Sequence, residues 1–451
     1  MSMDRAGFIR ELLDRGVRRG VAAEVCAEDG ASFEVQVKDG EVLQYNVSDG
    51  MGLGLRVLKD GRTGTASTQI LDEEALDQLL DGAIENAELV ESKDEQFMFP
   101  GSESYPELDL YNPDIDAIPA AEKIDMAMRL EKLALSQDPR VTQIEDCAVF
   151  STTSARGMVN TLGLDVSSRA SLLGGYVSVV ARDGAQVNTG MKVFFTMDPK
   201  SVDLEAVAQA AVREAVDGLG GTPVASGKYR VLLRRNVAGT LLSTFSGIFS
   251  ADNAQRGLSR LAGQEGAQIA ADCVTIMDDP HRPGSASSAP FDGEGVATVV
   301  KAVVENGRLN TLLHDLKTAH KQGVATTANG ARSSYAAPVG IAPTNFYFAP
   351  SGDDFDAMLE RTGDGLLITE LQGMHAGANA ITGDFSLAAK GFVVEGGRVG
   401  RAVSQITVAG NFYQLLKDIE AVGADLEFRV PGVSCFGSPS LLVRELSVAG
   451  E

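Results

Sequence analysis

The sequence predicts an α+β protein, with a mixed N-terminal region of antiparallel sheet and helices followed by a strand-rich C-terminal domain. Three observations predict it. Apolar runs alternate with period two on either side of glycine-containing turn dipeptides, a few stretches repeat apolar residues at helical spacing, and the strict strand–helix alternation of a doubly wound sheet is missing.

The strand signals recur along the whole chain. Phe33, Val35 and Val37 alternate with polar residues, Asp39-Gly40 follows, and Leu43, Tyr45 and Val47 alternate again, which is a two-residue hairpin pattern. Similar dipeptides separate apolar runs at Asp60-Gly61, Asp183-Gly184, Asn306-Gly307 and Gly396-Gly397, so every third of the chain carries antiparallel strands. Helices interrupt them. Leu76, Leu79, Leu80, Ala83, Ile84 and Ala87 form one apolar stripe, with Asp77, Asp81, Glu85 and Glu88 opposite. Leu204, Val207, Ala208, Ala211, Val212 and Ala215 repeat that spacing before Gly220-Gly221. Pro119 opens a third helical stretch from Ala120 to Ser136. Pro-, Ser- and Asp-rich segments at 97–118 and 218–228 divide the chain into 1–110 (N-terminal α+β domain), 111–220 (a central α+β segment packing with it) and 221–451 (the strand-rich domain). No repeat with a period of 20 to 50 residues is evident.

Composition narrows the function. With 39 Lys+Arg against 62 Asp+Glu in 451 residues the formal charge is −23, too few cations to neutralise phosphates, so nucleic acid is a poor partner. Much of the acidity is local: residues 72–95 hold ten acids and one Lys, the solvated face of one helix and its exit. The first sixteen residues mix charges where an export signal needs an apolar run, and no apolar run reaches the roughly 18 residues of a spanning helix. A cytoplasmic, non-membrane protein is expected. Cys26, Cys147, Cys273 and Cys435 form no C-x-x-C pair and read as reduced, buried thiols.

Motifs for familiar chemistry are incomplete. Gly50, Gly52 and Gly54 give G-x-G-x-G, but the following LRVLKDG reads as a strand where a dinucleotide fingerprint opens a helix. The stretch from Gly221 to Lys228 is one residue too long for a P-loop, and Tyr229 stands where Ser/Thr would bind magnesium. Asp353, Asp354 and Asp356 cluster, but no Gly or distal Glu completes a calcium loop, and a helix N-terminus explains the acids equally well. Ser434 and Cys435 lie outside any G-x-S-x-G elbow. The histidines, at 281, 314, 320 and 375, form no short helical pair of the kind that holds zinc, and His314 and His320 read as structural. His375, in the Gly-rich GMHAGAN stretch that also contains Asn379, is a candidate peptide contact with Asn379 beside it.

Taken together, VKDGEVLQYNVSDGMGLGLRVLKDGRTGTAST at 37–68, SARGMVNTLGLDVSS at 154–168, LHDLKTAHKQG at 313–323, GMHAGANAITGDFSLAAKGFVVEGGRVG at 373–400 and GSPSLLVRELSVAG at 437–450 resemble the PmbA/TldD family, also labelled modulator of DNA gyrase. The TldD branch of that family carries H-E-x-x-x-H on a helix, two imidazoles for zinc and a Glu as general base. The matching stretch is LLSTFSGIFSADN at 241–253, which sets Ser243 and Ile248 at the His positions and Thr244 at the Glu position. Ile binds no metal and Thr takes no proton from zinc-bound water near neutral pH. Cys435 falls later than the Cys ligand of that branch, and the role is not carried over. The resemblance is therefore to the metal-free PmbA (TldE) branch. It implies a vestigial site at Ser243, Thr244 and Ile248, no catalytic or metal-binding residue and no cofactor in this chain, zinc in a TldD-type partner subunit, and a cytoplasmic peptidase complex or dimer. Unfolded peptide would be taken up by strand addition. A homo-oligomeric peptide-binding scaffold and an independent hydrolase using Ser434, Cys435 or His375 are the alternatives.

Overall fold

Helix α1 (Arg5–Arg18) begins behind Asp4, whose carboxylate accepts from the Gly7 N–H. Strands β1 (Ala22–Lys38), β2 (Glu41–Lys59) and β3 (Arg62–Thr68) follow, then helix α2 (Glu73–Leu89), capped by Asp72. The computed structural model describes residues 3–91 and 94–451. After the short helix α3 (Pro113–Ala117) the same order recurs: α4 (Ala120–Gln137), β4 (Val141–Asn160), β5 (Asp165–Asp183), β6 (Gln186–Thr196) and α5 (Leu204–Asp217). All three helices expected from periodicity are present, each within a few residues of its predicted span.

The six strands form one antiparallel sheet in the order β3-β2-β1-β4-β5-β6. Two helix–three-strand–helix units thus meet edge to edge through β1 and β4. Their tight spots correspond. A Cβ on Gly64 of β3 would lie 2.0 Å from the Ala83 carbonyl oxygen of α2, and one on Gly190 of β6 would lie 2.2 Å from the Ala211 carbonyl oxygen of α5. Each second helix sits on its third strand at a distance only glycine permits. Each copy of this duplication is far longer than a 20-to-50-residue repeat.

The turns are those the dipeptides require. Asp39-Gly40, Asp60-Gly61, Asn306-Gly307 and Gly396-Gly397 hold both central residues, or both glycines, at positive φ, and Gly184 alone does so in its turn.

The sheet is covered on both faces. Ala23, Val25 and Ala27 of β1 and Leu53, Leu55 and Val57 of β2 pack against α1 and α2, whereas Phe33, Val35 and Val37 pack under α4 and α5. The alternate residues Glu24, Cys26, Gly52, Gly54 and Arg56 face the C-terminal domain. There the G-x-G-x-G stretch finds its reason. A Cβ on Gly52 would lie 2.1 Å from the Tyr335 ring, and one on Gly54 1.8 Å from the Tyr335 carbonyl oxygen. These glycines form a slot for a loop of the C-terminal domain.

That domain begins with β7 (Gly227–Leu233), helix α6 (Arg235–Phe245), a 3-10 turn (Ser246–Phe249) and α7 (Ala251–Gln255). Then come β8 (Ile276–Asp278), β9 (Lys301–Glu305), β10 (Arg308–Leu309), α8 (Leu316–Gln322), β11 (Gly330–Ala331), β12 (Gly340–Ile341), β13 (Asn345–Phe348), α9 (Phe355–Thr362) and β14 (Gly365–Gln372). The chain ends through α10 (Met374–Gly377), β15 (Asp384–Glu395), β16 (Arg398–Asn411), α11 (Phe412–Asp418), β17 (Ile419–Val422), β18 (Glu427–Phe428), β19 (Cys435–Ser438) and β20 (Leu441–Ala449). One sheet runs β16-β15-β14-β7-β20-β17, and an added β16–β20 pairing closes five of its strands on themselves; a second runs β10-β9-β8-β13-β19-β18. Helix α6 is the wedge between them. Leu241, Leu242 and Phe245 are buried in the shared core, with Phe245 stacked on Phe412 at 4.7 Å between ring centroids.

The glycine slot gives a direct test. Gly54→Ala is expected to destabilise the chain by about 1–3 kcal/mol, as overpacking against backbone does, measured as a lower urea midpoint. Gly50→Ala, with nothing within 4 Å of the added Cβ, is expected to leave the midpoint unchanged.

Candidate functional site

A cleft of about 540 Å³ separates the N-terminal sheet from the C-terminal domain. One wall is β6 with the end of α5; the other is the start of α6, the strands β14 and β15, and residues 425–430. β6 is the last strand of its sheet, so among the described residues one side of its backbone has no partner strand. Which side follows from parity. The Ser171 N–H donates to the Leu110 carbonyl, beyond the point where β6 begins to pair, and the Arg182 N–H donates to the Arg140 carbonyl, on the β4 side. Odd-numbered residues of β5 therefore address β6, their even-numbered partners on β6 address β5, and Thr189, Met191, Val193 and Phe195 turn their N–H and C=O groups to the cleft. All four line it.

Ion pairs cross the cleft floor. Arg234 pairs with Glu214 of α5, Lys192 of β6 shares Glu427 with Arg235, and Arg235 also lies 3.6 Å from Asp425. The Lys390 ammonium donates to the Asn188 side-chain oxygen at 3.2 Å. These groups are about one-third exposed, so each pair contributes at most about 1 kcal/mol. Together they register one wall against the other. Six lining residues are cationic and five anionic, so within a strongly acidic chain the cleft does not repel a carboxylate-bearing peptide.

Helix α6 enters the cleft wall at Arg235 and Asn236, and its other incompletely buried residues, Thr240, Ser243 and Thr244, lie outside the lining. Asn236 donates to the Thr369 carbonyl at 2.9 Å, and the Thr240 and Thr244 hydroxyls each donate to the carbonyl four residues earlier at 2.8 Å. Ser243 is half-buried and its carbonyl accepts from the Ser246 hydroxyl at 2.9 Å. Ile248 is fully buried in the core. The three positions matched to the zinc ligands and general base thus hold a hydroxyl, a second hydroxyl bound to its own helix, and a buried aliphatic side chain. Cys435 is buried as well, its thiol donating to the Arg429 carbonyl at 3.2 Å and pushed up to about 11 by burial. This donor set does not fit a zinc ion, and among the described residues no group of three or more His, Cys, Asp or Glu converges to hold one. Cys435 is equally unsuited as a thiolate nucleophile.

The other sequence candidates lie elsewhere. His375 stands exposed on α10, outside the cleft lining. The Asn379 side-chain oxygen accepts from the Ile381 and Thr382 N–H groups at 3.0 and 3.1 Å, which folds its own loop. The Ser434 hydroxyl donates to the Pro343 carbonyl. His314 is buried against the Thr318 hydroxyl at 3.3 Å, and His281 meets the Thr298 hydroxyl at 3.0 Å. Asp354 caps α9 through the Ala357 N–H. Sequence reasoning missed the cleft itself; its one readable signal was the Asp183-Gly184 hairpin that makes β6.

The domains are joined behind the cleft by a buried ionic junction. Glu24 on β1, with no exposed surface, accepts from Arg56 at 3.1 and 3.2 Å and from Arg332 of the C-terminal loop at 2.7 Å. Arg332 also donates to the Gly293 carbonyl at 2.8 Å. Glu28 pairs with Arg156 and accepts the Tyr335 N–H at 2.8 Å. Asp292 and Glu294 complete the cluster: Asp292 accepts three backbone N–H groups and Glu294 accepts the Leu316 N–H at 2.7 Å. Burial pushes both carboxyls up, Asp292 to about 6 and Glu294 to about 8, with the Asp292 charge adding to the shift at Glu294 and Arg56 opposing it.

A carboxyl raised in the folded state favours its protonated form there, so the unfolded chain gains relative stability as pH climbs through the shifted range. The urea midpoint is therefore expected to fall as pH rises from about 4.5, where the unfolded carboxyls ionise, to about 8, where Glu294 has ionised in the folded state, and then level off. Glu294→Gln is expected to remove most of that slope.

With this geometry in hand the relatives can be placed. Three family models match in order: PmbA/TldA metallopeptidase domain 1 over residues 23–87, the central domain over 113–219, and the C-terminal domain over 226–450. The chain is 30% identical to "Metalloprotease PmbA" of Escherichia coli O157:H7 over 412 residues, covering 88% of this chain and 86% of that one. It is similar to a Thermotoga maritima structure described as a modulator of a DNA gyrase, with a TM-score of 0.91 and 35% identity, covering 98% of this chain and all of that one. TldE of Thermococcus kodakarensis shares the fold at a TM-score of 0.90 and 22% identity, covering 98% of this chain and all of that one. Matched by family models from Ala23 to Gly450 with two short gaps, the chain belongs to the PmbA/TldD metallopeptidase family.

Proposed function

We propose that this chain is the peptide- and partner-binding, non-cutting subunit of a cytoplasmic zinc peptidase complex, working beside a TldD-type paralogue that carries the metal. The observation that carries this reading is the cleft beside α6, walled by a strand whose outward backbone is free to pair. An unfolded peptide adds to Thr189, Met191 and Val193 as a further strand, so backbone hydrogen bonds supply affinity and selection falls on accessibility of the chain, not on its side chains. Ser243 and the buried Ile248 stand in place of the two imidazoles, and the Thr244 hydroxyl, bound to the Thr240 carbonyl of its own helix, stands in place of the general base, which supports assigning metal and general base to the partner.

Two measurements test it. Purified alone, the chain is expected to leave a fluorogenic unstructured peptide intact and to hold no stoichiometric zinc; mixed with a TldD-type chain it is expected to raise cleavage by that chain. Cleavage together with stoichiometric zinc in this chain alone would sink the proposal. Met191→Pro removes an outward N–H without touching the β5 ladder. It is expected to weaken binding of a fluorescein-labelled unstructured peptide at least tenfold by polarisation, with an unchanged urea midpoint.

A further inference from the structure

The charges that line the cleft cancel, with a single cation left over. Lys192 and Arg235 meet Glu427 and Asp425, Arg234 meets Glu214, and the Lys390 ammonium lies 3.1 Å from Glu370. Arg213 and Asp217, of opposite sign, stand one turn apart on the same face of α5. The cation that remains is Arg429, just past the end of β18.

Arg429 is held in place without being neutralised. Its backbone N–H donates to the Phe436 carbonyl at 2.9 Å, and its carbonyl accepts the Cys435 thiol. The side-chain stem passes over Gly239 of α6, where an added Cβ would lie 3.8 Å from both Cγ and Cδ of Arg429. At the tip the guanidinium donates to the Thr240 hydroxyl at 2.5 Å. That hydroxyl gives its own proton to the Asn236 carbonyl, so toward Arg429 it only accepts, and the guanidinium is aimed. Among the described residues this is the one side-chain hydrogen bond of Arg429, which leaves most of its N–H groups for another partner. The side chain is exposed to the cleft, yet the surrounding walls exclude enough water to push the guanidinium below its usual range, and no carboxylate opposes that shift. Arg235 is desolvated too, but there Glu427 and Asp425 outweigh burial and push it up.

We propose that Arg429 is the carboxylate anchor of the cleft, taking a carboxylate of the bound peptide, terminal or on a side chain, in the bidentate geometry that suits a guanidinium fork. The inference rests on strand addition at β6 and adds a selection that backbone pairing alone does not make. An extended peptide offers hydrogen-bonding groups at every residue, but full negative charge only at its C-terminus and at Asp or Glu. Lys192 of β6 pairs with Glu427, two positions before Arg429, so the free cation lies within reach of a chain laid along that strand. One fixed cation there sets the register in which the peptide docks.

Calorimetric titration of the full chain with three unlabelled, unstructured peptides of one neutral sequence tests this: capped at both ends, free at the C-terminus, and capped at both ends with one Glu. At about 50 mM salt, where surface charges are weakly screened, at least one carboxylate-bearing peptide is expected to bind about fivefold tighter than the capped one, and which of them does so identifies the source of the carboxylate. Arg429→Gln, which keeps a donor for Thr240, is expected to bring all three to the affinity of the capped peptide with an unchanged urea midpoint. Arg429→Lys is expected to keep part of the preference, because the charge stays and the fork is lost. Equal affinity of the wild type for all three peptides, or a preference that survives Arg429→Gln, overturns the anchor and leaves strand addition standing. Absence of binding by all three overturns strand addition and the anchor with it.

Discussion

The seating of the C-terminal loop on the helix-free face of the N-terminal sheet is the constraint on which the rest depends. Glu24 carries two guanidinium groups in a site without water access, one from its own sheet and one, Arg332, from the other domain. Such a triad adds little net stability, because desolvation offsets most of the attraction, but removing one member would leave a buried charge without its partner. It fixes orientation. Tyr335 then drops into the slot at Gly52 and Gly54, and the two domains are held at a separation that leaves a cleft on their far side.

Held this way, an ordinary feature of sheets acquires a use. Every open sheet has edge strands, and exposed ones are hazards that proteins blunt or cover. Here β6 ends its sheet inside a cleft whose opposite wall is another domain, so its free backbone is reachable by an extended chain and shielded from a second folded sheet. The Arg234–Glu214 and Lys192–Glu427 ion pairs keep the walls in register without filling the space. Electrostatics contribute by cancellation: the chain is acidic overall, and the cleft is not.

Much of the fold was legible. The α+β class, the hairpins at Asp39-Gly40 and Asn306-Gly307, and the stripes at 76–87 and 204–215 follow from local rules of turn chemistry and periodicity, and local rules survive in the structure. The duplication was half visible, since those two stripes share one spacing and each follows strands; what hid it was its length. The site was less legible for a physical reason. Its β6 wall is made of backbone, which every sequence has, and its other side groups come from segments over two hundred residues apart, such as Lys192 and Glu427. Gly50, Gly52 and Gly54 lie within a strand and open no helix, but that Gly52 and Gly54 seat Tyr335 is not readable from sequence, because the partner lies in another domain. His375 and Asn379 were singled out by loop composition; one stands exposed and the other shapes its own turn.

The central claim, strand addition at β6, is tested most directly by amide hydrogen exchange with and without a saturating unstructured peptide. Slowed exchange at Thr189, Met191 and Val193, with Asn188, Gly190 and Lys192 unchanged because their amides already bond β5, is the predicted result. Protection spread evenly over both sets, or confined to residues outside the cleft, would contradict it.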